Sequence, residues 1–178
     1  ALGTENTHDQ ANVELVGMRP AQLGSTGKKL DLIDISPDLL DQSYANRYAF
    51  THEAIQSYFQ ILSDTGIISI PISIREFTVY AVKMLETIRN VLDESGVRNP
   101  EKHIIVYRSS WNARILVSKQ SFEEQQIQQI VDFCHDLSFD VSYFPGINPE
   151  YIEPWNELPS FSFGGDHTAS PIRNTRDA

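Results

Sequence analysis

Two short, nearly continuous apolar runs enclose a helical pattern, and this arrangement constrains the fold more than any other feature of the chain. The first run is "LDLIDIS", residues 30–36, and the second is "IISIPIS", residues 67–73. Each has the length of a strand. Strands covered on both faces of a parallel sheet are apolar almost throughout rather than in alternation, and only Asp31 and Asp34 break the first run. Between the runs, Ile55, Tyr58, Phe59 and Leu62 recur at i, i+3, i+4 and i+7, the spacing of one helical face. Thr51 is placed to cap that helix, Glu53 falls in its first turn, and Gly66 supplies a C-terminal stop.

Further along, residues 75–95 carry the longest helical stripe, Phe77, Ala81, Met84, Ile88 and Val91, with Gly96 closing it. Pro71 belongs near the end of its strand or at a bulge, because it has no N–H to give a ladder. After Pro100 come "HIIVYR" (103–108) and "ARILVSK" (113–119). The short polar connector "SSWN" between them predicts an antiparallel hairpin. Ser121 to Glu124 reads as a capping box ahead of a helix with Ile127, Ile130, Val131 and Cys134 on one side. "FDVSYF" (139–144) is a last strand, and "NVELV" (12–16) is a short one near the start. The order predicts an α/β fold: a mostly parallel sheet with an antiparallel edge hairpin and helices on both faces. Residues 1–11 are polar, residues 12–145 make one domain, and residues 146–178 read as an irregular, extended tail. That tail holds Pro149, Pro154, Pro159 and Pro171.

Charge narrows the partners. Fourteen basic against twenty-four acidic residues give a net charge of -10. This argues against a nucleic-acid backbone or an anionic membrane surface as a partner; it leaves room for a small cationic ligand such as a polyamine, though such a charge on its own serves mainly to keep a protein soluble. No uninterrupted apolar stretch approaches the roughly 20 residues of a membrane span. Cys134 is the one cysteine, so no internal disulfide forms, and a reducing, cytoplasmic setting is expected. The start, "ALGTENTHDQ", has neither an initiator Met nor the layout of a signal peptide, and reads as the beginning of an excised or processed piece.

Candidate chemistry is sparse. "GSTGKK" (24–29) resembles a phosphate loop but has Gln22 where the motif needs Gly, and it enters a strand rather than a helix. Cys134 and His135 point about 100° apart on a helix, and Cys134 lies on the apolar stripe, so a buried inert thiol is expected there. The five histidines have no metal-ligand spacing, so no metal site is expected. Ser36, Asp38 and Asp41 follow the first apolar run. In an open α/β sheet the loop past the carboxyl end of a strand is where ligands bind. The same residues also spell a Ser-Pro-Asp turn that simply begins a loop. Trp111 and Trp155 are either contact residues or covers over the edge of a core.

Taken together, "LDLIDIS" and "YAFTHEAIQSYFQILSDTGIISI" resemble the middle of a polyamine aminopropyltransferase, the spermidine synthase family. The family pattern is an aromatic-Asp-hydrophobic strand, a polar catalytic loop, and "aromatic-Thr-x-Glu" opening a helix that ends "L-x-x-x-Gly". Those positions are Leu30-Asp31, Ser36 to Asp38, Phe50-Thr51-His52-Glu53, and Leu62 to Gly66. "VELVGMRPAQL" resembles the preceding strand and turn. The resemblance covers residues 12 to 145 or so and implies a partial Rossmann-like, methyltransferase-type fold, its carboxyl-terminal part only. It implies a transferase that uses S-adenosylmethionine or its decarboxylated form on a small amine or methyl acceptor. Ser36 and Asp38 would stand at the catalytic rim, and Tyr48, Phe50 and Glu53 would line or support the acceptor pocket.

Two departures qualify what the resemblance implies. Nothing ahead of residue 12 supplies the glycine-rich turn that lets backbone approach the cofactor, so these residues alone are expected to hold no cofactor. Ser36 stands where the family has a catalytic Asp, and Gly17, Met18 and Arg19 stand where it has an acid for the adenine. A serine neither deprotonates an amine as a carboxylate does nor holds its cation. The alternative reading is therefore a non-catalytic binding or assembly module that keeps the fold. Without two further strands of the family's sheet, "LDLIDIS" would have an open edge, which predicts that "VELV" pairs with it or that two chains meet there as a homo-oligomer.

Overall fold

A computed structural model describes residues 22, 27–36, 48–75, 78–148, 150, 162–163 and 167–168. The first βαβ unit forms where the sequence predicts it. Strand β1 (Leu30–Asp34) leads to helix α1 (His52–Ile61) and then to strand β2 (Leu62–Ser73), which pairs with β1 in parallel. Helix α2 (Val79–Glu94) and a 3-10 turn (Pro100–His103) follow, then β3 (Ile104–Arg108), β4 (Asn112–Ser118), α3 (Glu124–Asp136) and β5 (Asp140–Tyr143). A separate pair, β6 (Ser162–Phe163) and β7 (His167–Thr168), is antiparallel.

The five-stranded sheet has the order β1-β2-β4-β3-β5. It is mixed, not mostly parallel as the sequence predicts. Only β1 and β2 pair in parallel, and β2–β4, β4–β3 and β3–β5 are antiparallel. The hairpin causes this. β3 runs in the same direction as β2, but β4 turns back and inserts between them. The hairpin is therefore in the middle of the sheet rather than at its edge, and among the described residues the edges are β1 and β5.

Register sorts the side chains into two faces. Ile68, Ile70 and Ile72 of β2 oppose Val117, Ile115 and Ala113 of β4, and all six are buried. They share one core with Ile55, Tyr58 and Phe59 of α1 and with Ala81, Met84, Ile88 and Val91 of α2. Burying such side chains, at about 1.5–3 kcal/mol each, is the main term holding the layers together. The opposite face of β3 carries Tyr107, whose ring packs on Phe133 of α3 and on Phe139 with centroids 6.1 and 5.6 Å apart. Helices thus cover both faces. Phe77, expected in the α2 stripe, is outside the described residues, as are "NVELV" and most of the 146–178 tail.

Two local expectations change and one holds. Gly66 does not stop α1, because the helix is capped at Leu62 and Gly66 already lies within β2. Its role is close approach: a Cβ there would fall 2.6 Å from Leu62 Cγ and 2.8 Å from the Leu30 carbonyl oxygen. The capping box sits two residues later than predicted, with Glu123 as N-cap and Gln126 reaching back; Phe122, buried just before it, donates its N–H to the Lys102 carbonyl (2.9 Å) and so stays extended. Pro71 does lie near the end of β2. Ile35 N–H donates to the Ser69 carbonyl (3.0 Å), and the next bond of a parallel ladder would run from residue 71 to the Ile35 carbonyl, so Pro71, with no N–H to give, stands where the β1–β2 ladder ends.

Candidate functional site at the carboxyl ends of β1 and β2

In a sheet built from βαβ units, helix starts and loops gather past the carboxyl ends of the parallel strands, where ligands bind. Ser36 stands there, exposed, one residue beyond buried Ile35. The carboxyl end of β2 delivers Ile74 and Arg75 to the same edge. β4 begins beside them, with Ile74 N–H donating to the Trp111 carbonyl at 2.9 Å. The guanidinium of Arg75 lies 5.4 Å from the centroid of the Trp111 ring, within the range of a cation–π contact. Trp111 is 59% exposed, so it is not a cover over the core.

The loop that presents Trp111 is held by its own serine. Ser109 N–H donates to the Asn112 carbonyl (2.8 Å), and Ser109 Oγ accepts from the Asn112 and Trp111 amides at 3.2 and 3.4 Å. One pleat below Ser36, on the face away from α1 and α2, Arg114 Nη1 donates to Asp34 Oδ1 at 2.6 Å and to Ser69 Oγ at 3.0 Å. Asp34 is the acid nearest in sequence to Ser36 among the described residues, and its carboxylate is committed to this pair. In the sequence Asp34 is only an interruption in an apolar run. Its partner 80 residues on becomes visible only when the strand order is known.

The other predicted site residues follow in the chain. Asp38 and Asp41 are outside the described residues. Tyr48, Phe50 and Glu53 form the entry to α1. The Thr51 hydroxyl donates to the Tyr48 carbonyl and accepts from Ala54 N–H, both at 3.3 Å, so Thr51 is the N-cap that the sequence predicts. Phe50 packs against the core, while Tyr48 is 75% exposed. Glu53 is exposed, and its carboxyl is held below the usual carboxylate range by hydrogen bonding, first to its own backbone N–H and then to the Thr51 hydroxyl. His52 Nε2 is 3.2 Å from Glu94 Oε2, at the end of α2 that leads toward the start of β3. This contact ties the start of α1 to the end of α2.

A nucleoside sulfonium cofactor needs a glycine-rich backbone cradle. Among the described residues, the glycines with positive φ are Gly27, Gly96 and Gly146. They precede β1, end α2 and follow β5, so none lies past the carboxyl end of β1 or β2. The described residues do not fit such a cofactor. Nor do they bring three His, Cys, Asp or Glu side chains together as a metal site. Cys134 is buried, and desolvation pushes its thiol up to about 11. No helix among the described residues is long and apolar enough to cross a membrane. Compared with known proteins, the chain matches no family model, no curated protein and no solved structure.

Proposed function

We propose that this domain is the acceptor-side, carboxyl-terminal portion of a spermidine-synthase-like transferase with a Rossmann-like, methyltransferase-type fold. Its donor would be S-adenosylmethionine or the decarboxylated form, its acceptor a small amine or methyl acceptor, and its setting the cytoplasm. In this reading the portion is catalytically incomplete by itself. The observation that carries the reading is the parallel β1–α1–β2 unit with Ser36 exposed at its carboxyl end. A mixed sheet with an antiparallel strand between two that run the same way is compatible with that fold. In this reading Ser36 and Asp38 belong to the rim, and Tyr48, Phe50 and Glu53 at the entry to α1 line or support the acceptor pocket. The net charge of -10 suits a cationic acceptor.

A second reading, a non-catalytic binding or assembly module, is favoured by one observation: the rim offers a serine where a carboxylate is needed, and the neighbouring Asp34 is already paired with Arg114. Calorimetric titration of the chain with putrescine, S-adenosylmethionine and decarboxylated S-adenosylmethionine separates the two, run on the natural chain and on Ser36→Asp. The transferase reading expects diamine binding that Ser36→Asp tightens by about fivefold, the scale of one exposed ion pair. No diamine binding by either form, with no binding of either sulfonium compound, would leave the module reading standing.

A further inference from the structure

An open concavity lies away from the strand ends. It is a groove of about 400 Å³ between α2 and the β3–β5 edge, on the same face of the sheet as α1 and α2. Its walls are carbon: Val82 and Leu85 from α2, Pro100 from the 3-10 turn, Ile104 and Val106 from β3, and the ring of Tyr143 from β5. The groove arises from the strand order. α2 follows β2 and packs over β2 and β4, and no helix of the described residues continues that layer over β3 and β5. Val82 is left 61% exposed.

Three charged residues sit on its rim, and they are not equivalent. Glu86 accepts from Arg89 Nε at 3.1 Å and Nη2 at 2.7 Å, a two-pronged pair in which each charge answers the other. Glu101 makes no ion pair among the described residues. Its carbonyl accepts from the Tyr143 hydroxyl at 2.9 Å, which pins the 3-10 turn to β5 and keeps the Tyr143 ring edge in the wall. The Tyr143 hydroxyl is raised above its usual range, by burial first and by the Glu101 charge second, so that carboxylate acts on the Tyr143 end of the groove. The groove thus has an apolar floor, a neutralised side, and one end carrying a net negative charge.

We infer that this groove is a binding site for a small alkylammonium ion, the alkyl stem on Val82, Leu85 and Val106 and the ammonium at the Glu101 carboxylate beside the Tyr143 ring. Shape and charge select the class together. An alkyl carboxylate would place like charge against Glu101. An alcohol of the same length gains only the apolar contact. A short polyamine would have to bring a second charge onto carbon walls, and such desolvation is costly. The site is separate from the carboxyl ends of β1 and β2, and the inference does not rest on the transferase reading.

The test is a two-dimensional amide NMR titration of the 178-residue chain at neutral pH with hexylammonium, 1-hexanol and hexanoate. Hexylammonium is expected to shift the Val82, Leu85, Ile104 and Tyr143 amides saturably, in the roughly millimolar range of small, partly exposed ligands. Its affinity should exceed that of 1-hexanol by about fivefold, the upper scale of an exposed ion pair, and hexanoate should be weakest. Glu101→Gln should bring hexylammonium down to the level of 1-hexanol, with the remaining amide signals unmoved. Equal affinity for the ammonium and the alcohol overturns the inference. So does an absence of shifts at these four amides, which would mean that another part of the chain fills the groove, and so do shifts that appear with protein concentration alone, which would assign it to a second copy.

Discussion

Arg114 reaches across β2 to grip Asp34, its guanidinium 2.6 Å from the carboxylate, and so binds β4 to β1, which are not neighbours in the sheet. Ser69 of the intervening strand shares the same nitrogen at 3.0 Å. The pair sits on the less covered face, with Arg114 24% and Asp34 54% exposed at the side chain. At that exposure it is worth about 0.5–1 kcal/mol.

A double-mutant cycle checks the linkage. Asp34→Asn is expected to cost a few tenths of a kcal/mol. Arg114→Met should cost more, about 1 kcal/mol, because Ser69 Oγ then loses its partner while buried. Chemical denaturation should give a coupling energy of about 0.5–1 kcal/mol between the sites, falling with added salt. Strict additivity would show that the ion pair adds nothing to the hold on β1.

Gly66→Ala tests the contact between the start of β2 and β1. The added methyl would meet Leu62 Cγ at 2.6 Å and, more seriously, the Leu30 carbonyl oxygen at 2.8 Å. A leucine side chain can turn aside, but a ladder carbonyl cannot without moving β1. A loss of about 1–3 kcal/mol is expected, read as a lower Tm. The same change at Gly96 meets no atom within 4 Å but forces alanine to φ +79°, so its smaller cost is purely conformational.

What the sequence discloses and what it hides divide along a physical line. The stripe of Ala81, Met84, Ile88 and Val91 was legible because helical periodicity is local. The cap at Thr51 was legible for the same reason. Sheet order was not, because nothing in "HIIVYR" or "ARILVSK" says that β4 will insert between β2 and β3 rather than lie outside them. Both placements bury the same isoleucines. The Asp34–Arg114 pair and the groove beside Tyr143 both follow from that order, so both were invisible in the sequence. Gly66 misled for a different reason: a glycine after a helix signals a stop and a glycine in a strand signals close approach, and the one-letter code is the same.

The entry to α1 predicts a response to acid. Glu53 has its carboxyl held below the usual carboxylate range, so the folded state favours the ionised form more than the unfolded chain does. Its contribution is therefore present above the unfolded carboxyl range and is lost as pH falls through the lowered folded value. Glu53→Gln should flatten this part of the acid limb in a urea-midpoint series between pH 6 and pH 3. Thr51→Ala removes the N-cap and one of the hydrogen bonds that lower Glu53, so it should cost about 1 kcal/mol at pH 6 and less toward pH 3. An acid limb unchanged in Glu53→Gln would count against the first-turn hydrogen bonds.

Cys134 predicts the opposite limb. Burial raises its thiol to about 11, above the ordinary value of 9.0, so the folded state keeps a proton that the unfolded state releases. Stability from this group is whole below about pH 9 and drains away as pH rises toward 11. Tyr58, Tyr107 and Tyr143 are raised in the same direction, in each case by burial first, and add to the slope. Cys134→Ala should remove the thiol's share, making the fall between pH 9 and pH 10.5 shallower by about 1–2 kcal/mol. Thiol labelling gives an independent reading. With the group wholly buried and protonated at pH 8, Ellman's reagent should react only through opening of the fold, and the rate should climb with urea in step with unfolding. Fast labelling in water, at the rate of a free cysteine, would mean that α3 lifts from Tyr107 and Phe139 without the rest of the core.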